Sequence, residues 1–199
     1  MDKKVNPRKP IKCKNCKVSF LPKLIVGEEK KEIECRFNVC PNCGNLLPKT
    51  IDYIENYFEI IHLSEDLNKA KTLFLTSELV GAVREAVIKF ESIVRKKSGL
   101  KELRGSDLMA KAFSFKFDEN KKVISEEPKL RVNNLSNVPE RNEQEGIKFI
   151  SMGLMQGVRN IYMHHEGNER LFYCLQIITM VDFLLKHIMG WESVASRLK

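Results

Sequence analysis

The 199 residues carry 43% hydrophobic and 30% charged side chains, ordinary globular proportions that exclude a chain disordered throughout. The net charge of +8 is unevenly placed: up to Thr50, twelve Lys and Arg face five Asp and Glu, and the remainder is close to neutral. A basic segment ahead of a neutral one points either to an anionic partner, nucleic acid being the commonest, or to a solubilising face.

Met1-Asp2-Lys3-Lys4 runs into polar residues without an apolar stretch, so no secretory signal is expected and the chain is placed in the cytoplasm. Five of the six cysteines lie before residue 45, and the sixth, Cys174, stands alone in an apolar segment. Thiols at CxxC spacing in a reducing compartment suit a metal better than disulfides. Cys13-Lys14-Asn15-Cys16 and Cys40-Pro41-Asn42-Cys43-Gly44 are two such knuckles. Each aims two thiolates at one point, and together they predict a closed, structural four-cysteine zinc site. Cys35 is a fifth candidate, read as packing or idle, with an exchange for Cys40 as the alternative. The knuckles resemble those of zinc ribbons over these few residues alone, which implies a positioning or binding role. Val18–Val26 and Lys31–Phe37 are expected as short strands, making residues 1–50 a small β-rich zinc-ribbon module.

Residues 51–66 read as an apolar-rich connector, helical in part, and 67–199 as a helical domain. The first long helix is expected over Leu67–Lys97, with Leu79, Val83, Ala86, Val87, Phe90, Ile93 and Val94 at steps of three and four, and Ser98-Gly99 as its stop. A shorter helix over Ser106–Phe115 takes its cap from Ser106-Asp107. Asp118–Pro139 is polar, contains Pro128, and reads as a long loop of the functional kind. A third helix is expected from Arg141–Glu143 to His164 or His165, striped by Ile147, Ile150, Leu154, Val158 and Ile161. Gly167 stops it and Asn168 opens a fourth, over Glu169–Met189, antiparallel to the third. That last stretch is long enough to span a membrane, but Gln176, Thr179, Asp182, Lys186 and His187 recur at helical spacing, so a core helix is expected and no membrane contact. The fold class is thus mainly α: a four-helix bundle behind a zinc module.

Arg159-Asn160-Ile161-Tyr162-Met163-His164-His165 ends the third helix. Asn160 and His164 are four apart and share a helix face. Arg159 and His164 are five apart, about 140° around an ideal helix, so one copy alone does not converge them fully. Two copies meeting on a two-fold axis can gather both pairs in one groove.

Arg159-Asn160-x-x-x-His164 resembles the R-x4-6-H signature of HEPN domains. From about Phe74 to Met189 the chain is similar to the uncharacterised Ymh family, a branch of that superfamily, through Gly105-Ser106-Asp107-Leu108-Met109-Ala110-Lys111-Ala112-Phe113-Ser114, Glu140–Gly146, Gly153, Gly157 and the Arg-Asn/His set. The family's proline two after the Arg and small residue before the His are replaced by Ile161 and Met163. The resemblance implies a HEPN-like four-helix bundle, a homodimer through the motif helices, and RNA cleavage without a catalytic metal or cofactor. His164 would move the proton of the ribose 2′-hydroxyl or of the leaving oxygen, Arg159 would hold the phosphate, and Asn160 would orient either, giving a 2′,3′-cyclic phosphate. Tyr162 and His165 are accessory candidates. An endoribonuclease of a toxin or phage-defence system, with an antitoxin or other protein partner, is one reading. A non-catalytic module that binds nucleic acid or protein through its zinc ribbon is the other.

Overall fold

The computed structural model describes residues 10–20, 23–26, 32–35, 40, 42–43, 45–117, 124–164 and 171–197. They divide into two compact units, residues 1–62 with 75–77, and residues 63–74 with 78–199.

In the first unit, β1 (Ile11–Lys12) and β2 (Ser19–Phe20) pair antiparallel around the first knuckle. The Cys13 N–H donates to the Val18 carbonyl at 3.0 Å, and the Lys17 N–H to the Cys13 carbonyl at 3.1 Å. Lys17 occupies the left-handed region (φ 63°), a conformation glycine would take more cheaply. β3 (Lys23–Val26) and β4 (Glu32–Cys35) form a second hairpin in which Lys23 pairs with Cys35 and Val26 with Glu32. Both strands fall inside the expected β stretches. α1 (Pro48–Ile60) starts on Leu47 in extended backbone, with Pro48 in the first turn, where no intrahelical N–H is lost. Its buried side is Ile54 and Phe58, four apart. Cys13, Cys40 and Leu47 make this unit's buried apolar cluster, with Ile11, Cys16 and Cys43 packed on it.

The second unit is helical. A 3-10 turn (Glu65–Leu67) leads into α2 (Asn68–Leu75), and α3 runs Leu79–Ser98. The single helix expected over 67–97 is therefore broken at 76–78, where Ser77 takes φ 72°. Its stop is as expected: Gly99 follows in the left-handed conformation, φ 72°, past three basic residues that favour the carbonyl end. α4 is Gly105–Phe113, so it opens one residue before Ser106, and neither Ser106 nor Asp107 caps it. The Gly105 N–H donates instead to a carboxylate of α3, Glu91 Oε1, at 2.7 Å.

The expected loop after α4 is partly ordered. β5 (Lys116–Phe117) and β6 (Ile124–Glu126) pair antiparallel, and 118–123 lie outside the described residues. Pro128, Leu130, Val132 and Leu135 are then buried. Gln144 of α5 (Val138–Gly153) pins this strap: it accepts from the Val132 N–H at 2.9 Å and donates to the carbonyls of Phe113 (2.9 Å) and Leu130 (2.8 Å). α5 begins three residues before Arg141 because Asn137 caps it, its side chain accepting from the Glu140 N–H at 2.9 Å.

α5 continues through a π turn (Leu154–Arg159) into α6 (Asn160–His164). The expected stripe is rotated. Ile147 and Leu154 are buried, but Ile150 and Ile161 are exposed, and Ser151, Met155 and Tyr162 take their places inside. α7 (Leu171–Arg197) packs on α3, and α4 on α5. Leu171–Gly190 has the length and apolar content of a membrane span, and about half of its residues are buried inside the protein, as in a core helix. Asp182 of α7, itself buried, accepts from the Ser64 N–H at 2.8 Å and pairs with Lys186 at 2.6 Å.

Candidate functional site

The sulfurs of Cys13, Cys16, Cys40 and Cys43 all lie within 4.8 Å of one another. Cys13–Cys43 and Cys16–Cys40 stand at 3.7 Å, each pair joining the first cysteine of one knuckle to the second of the other. A tetrahedron of thiolates about 2.3 Å from a central ion has edges of about 3.8 Å, so the donor set fits a four-coordinate metal. Cys35, the fifth candidate, belongs to β4, and its side chain lies outside the described residues.

The thiols are unequal. The Val18 backbone N–H, and after it the Asn42 side-chain amide, draw Cys16 down to about 6. The Asn45 backbone N–H lowers Cys43, whereas burial pushes Cys40 up to about 11. A cation collecting all four thiolates therefore displaces protons, most of all at Cys40. The knuckle surface is basic: Lys12, Lys14 and Lys17 are exposed around it.

The Arg159–His164 segment sits where the helical unit departs from regular helix. A π turn adds a residue per turn and commonly marks a functional segment; this one ends on Arg159. Arg159 turns toward α3, its Nε 3.2 Å from Glu91 Oε2, with side-chain exposures of 28% and 5%. The pair is ionic by distance and not a hydrogen bond by angle, so Nε is buried without a hydrogen-bonded acceptor among the described residues. Glu91 also meets Arg95 at 3.1 Å and the Gly105 N–H, so one buried carboxylate joins two guanidinium groups and the start of α4. Arg84, two turns before Glu91 on α3, donates through Nε to the Tyr162 carbonyl and reaches the Met163 carbonyl at 3.5 Å.

Asn160 and His164 share the exposed face of α6. Tyr162 is buried, its hydroxyl 3.9 Å from Cys174 Sγ, so its side chain is placed in the core. His165 lies outside the described residues. Among the described residues, Arg159 is brought to Glu91 rather than to His164. Glu91, Arg95 and Arg84 were not singled out from the sequence. The one signal available was the Glu91/Arg95 spacing of four on a helix, which also fits an ordinary surface pair.

Fold and site together define a mainly helical protein with an N-terminal pair of cysteine knuckles whose four sulfurs could hold a metal ion. Residues 64–188 match the family described as Protein of unknown function (Hypoth_ymh), and the chain belongs to that family. No curated protein and no solved structure matches it.

Proposed function

We propose that the helical unit is a HEPN-type endoribonuclease, acting as a homodimer through the motif helices, and that the knuckles hold a structural zinc ion. The observation that carries this reading is the placement of Arg159-Asn160-x-x-x-His164. The guanidinium is anchored on Glu91 yet still reaches solvent, and the amide and imidazole stand on the open face of the next turn. A neutral imidazole of His164 takes the 2′-hydroxyl proton as that oxygen attacks phosphorus, and an imidazolium returns a proton to the leaving 5′-oxygen. Arg159 holds the phosphate and offsets the charge that grows on it. Phe149, Ile150 and Ile161 along the motif helix, and Phe172, Tyr173, Met180 and Phe183 of α7, are large apolar side chains left exposed. Exposed apolar side chains on these helices support burial against a second copy. The reading places the chain in the cytoplasm, within a toxin or defence system restrained by a protein partner.

The exposed lysines of the knuckles favour a second reading, a module that binds nucleic acid without cutting it. The deciding assay uses structured and unstructured RNA in magnesium-free buffer, with the knuckle metal left in place. The ribonuclease predicts 2′,3′-cyclic phosphate ends, and rates falling about 100-fold or more in Arg159→Ala and His164→Ala. RNA retained but intact with all three proteins would replace it with the binding module.

A further inference from the structure

α6 is five residues long and follows a π turn, so it begins where the backbone ladder has just changed register. A single turn makes too few hydrogen bonds to hold itself, and its geometry is set by what surrounds it. Of its residues only Tyr162 is buried; Asn160, Ile161, Met163 and His164 are exposed. The last carbonyls of a helix have no partner within it. Here a side chain from α3 reaches two of them: the Arg84 Nε donates to the Tyr162 carbonyl, and its Nη2 stands 3.5 Å from the Met163 carbonyl. A guanidinium is a planar fork, so a grip on two consecutive carbonyls fixes the turn's orientation as well as its place. Its charge also suits the negative end of a helix.

Seven residues further along the same helix, Glu91 holds Arg159, with Nε at 3.2 Å. Residues seven apart on a helix lie two turns apart on one face. They meet the motif in reverse order, Arg84 at 162–163 and Glu91 at 159. One twenty-residue helix therefore holds both ends of the Arg159–His164 segment.

We infer that Arg84 is a positioning residue for His164: by gripping the two carbonyls directly before it, Arg84 sets where the imidazole stands relative to the guanidinium held by Glu91. The inference rests on the ribonuclease reading above and adds the group that governs the proton-transfer distance. Arg84 works through the backbone, and His164 moves the proton. A misplacement of about 1 Å costs about 100-fold in rate. Phosphate binding by Arg159 is anchored separately, on Glu91, so losing Arg84 should fall on kcat and spare KM. An ordinary helix cap would lower stability and leave the turnover of folded molecules unchanged.

The test measures steady-state RNA cleavage by the full-length protein in magnesium-free buffer, at a temperature where the helix signal shows every variant folded. Arg84→Ala is expected to lower kcat about 10-fold to 100-fold, with KM within about threefold of the parent. Arg84→Lys keeps the charge and one donor, and should recover part of the lost kcat. Should Arg84→Ala fail to fold, Arg84→Gln, with a neutral donor for one carbonyl, replaces it, and its kcat should fall about 10-fold at parental KM. A folded variant with parental kcat, or one whose loss lies wholly in KM, would overturn the positioning role while the ribonuclease stands. A parent protein that leaves RNA intact removes the ribonuclease itself, and the role of Arg84 falls with it.

Discussion

Glu91 is 5% exposed and faces three partners from three places in the chain: Arg95 one turn on, Arg159 from the π turn, and the first N–H of α4. A buried carboxylate with such partners is costly to disturb, because removing it leaves the opposing cations and the helix start without a counter-charge. Glu91→Ala should lower the unfolding free energy of the helical unit by about 3 kcal/mol. Glu91→Gln still accepts from Gly105 and should lose about half as much. Urea denaturation followed by helix signal checks the order; equal stability of both variants with the parent would mean the cluster is only superficially paired. None of this convergence was legible in the sequence, where Glu91 reads as one more charged residue on the polar side of α3. Its partner Arg159 is 68 positions away, and no local period reports which guanidinium a carboxylate will meet. The cysteines are the opposite case. Their chemistry is written in their spacing, because two residues between thiols leave few ways to turn the backbone, and the same four sulfurs come together in space.

At the scale of elements, Gln144 does for the strap 127–137 what a strand ladder does elsewhere. One amide satisfies the Val132 N–H and the carbonyls of Phe113 and Leu130, joining α4, the strap and α5. Gln144→Leu keeps the volume and strands three buried backbone groups, each worth about 1–3 kcal/mol when left unpaired. A partial rearrangement brings the expected loss to about 2–5 kcal/mol, with the strap opening first. Limited proteolysis should then cut at Lys129 or Arg131 well before the helices; parental resistance would show that the apolar anchors Leu130, Val132 and Leu135 suffice alone. A polar, proline-bearing stretch reads as a free loop because a single buried glutamine has no sequence signature. The rotated stripe on α5 and α6 has a different cause. Ile150 and Ile161 are apolar but exposed, and a reading that assigns every apolar residue to the core counts them as buried. Helix existence and caps such as Gly99 were legible, since periodicity and a left-handed stop are local properties.

For the molecule as a whole, the two units differ in how they are held. The helical unit buries a long series of side chains, from Leu67 through Phe90 and Phe113 to Ile188. The cysteine unit has a small apolar cluster built around Cys13, Cys40 and Leu47, and its described hairpins are two and four residues per strand. That apolar cluster, taken over the described residues, is small for a unit of this length, and a metal held by the four thiolates, with binding worth on the order of 10 kcal/mol, would supply the missing stability. Stripping the metal with a strong chelator under reducing conditions should therefore unfold the first unit and leave the second folded. Calorimetry with and without chelator checks this: one transition should disappear, while the transition carrying most of the enthalpy should move by no more than a few degrees. Re-addition of zinc should restore the first transition in proportion to the metal bound, since the binding free energy is the folding free energy of that unit. A chelated chain that keeps every transition would show that the hairpins and α1 carry the first unit without a metal. Full collapse on chelation would show that the helical core depends on it.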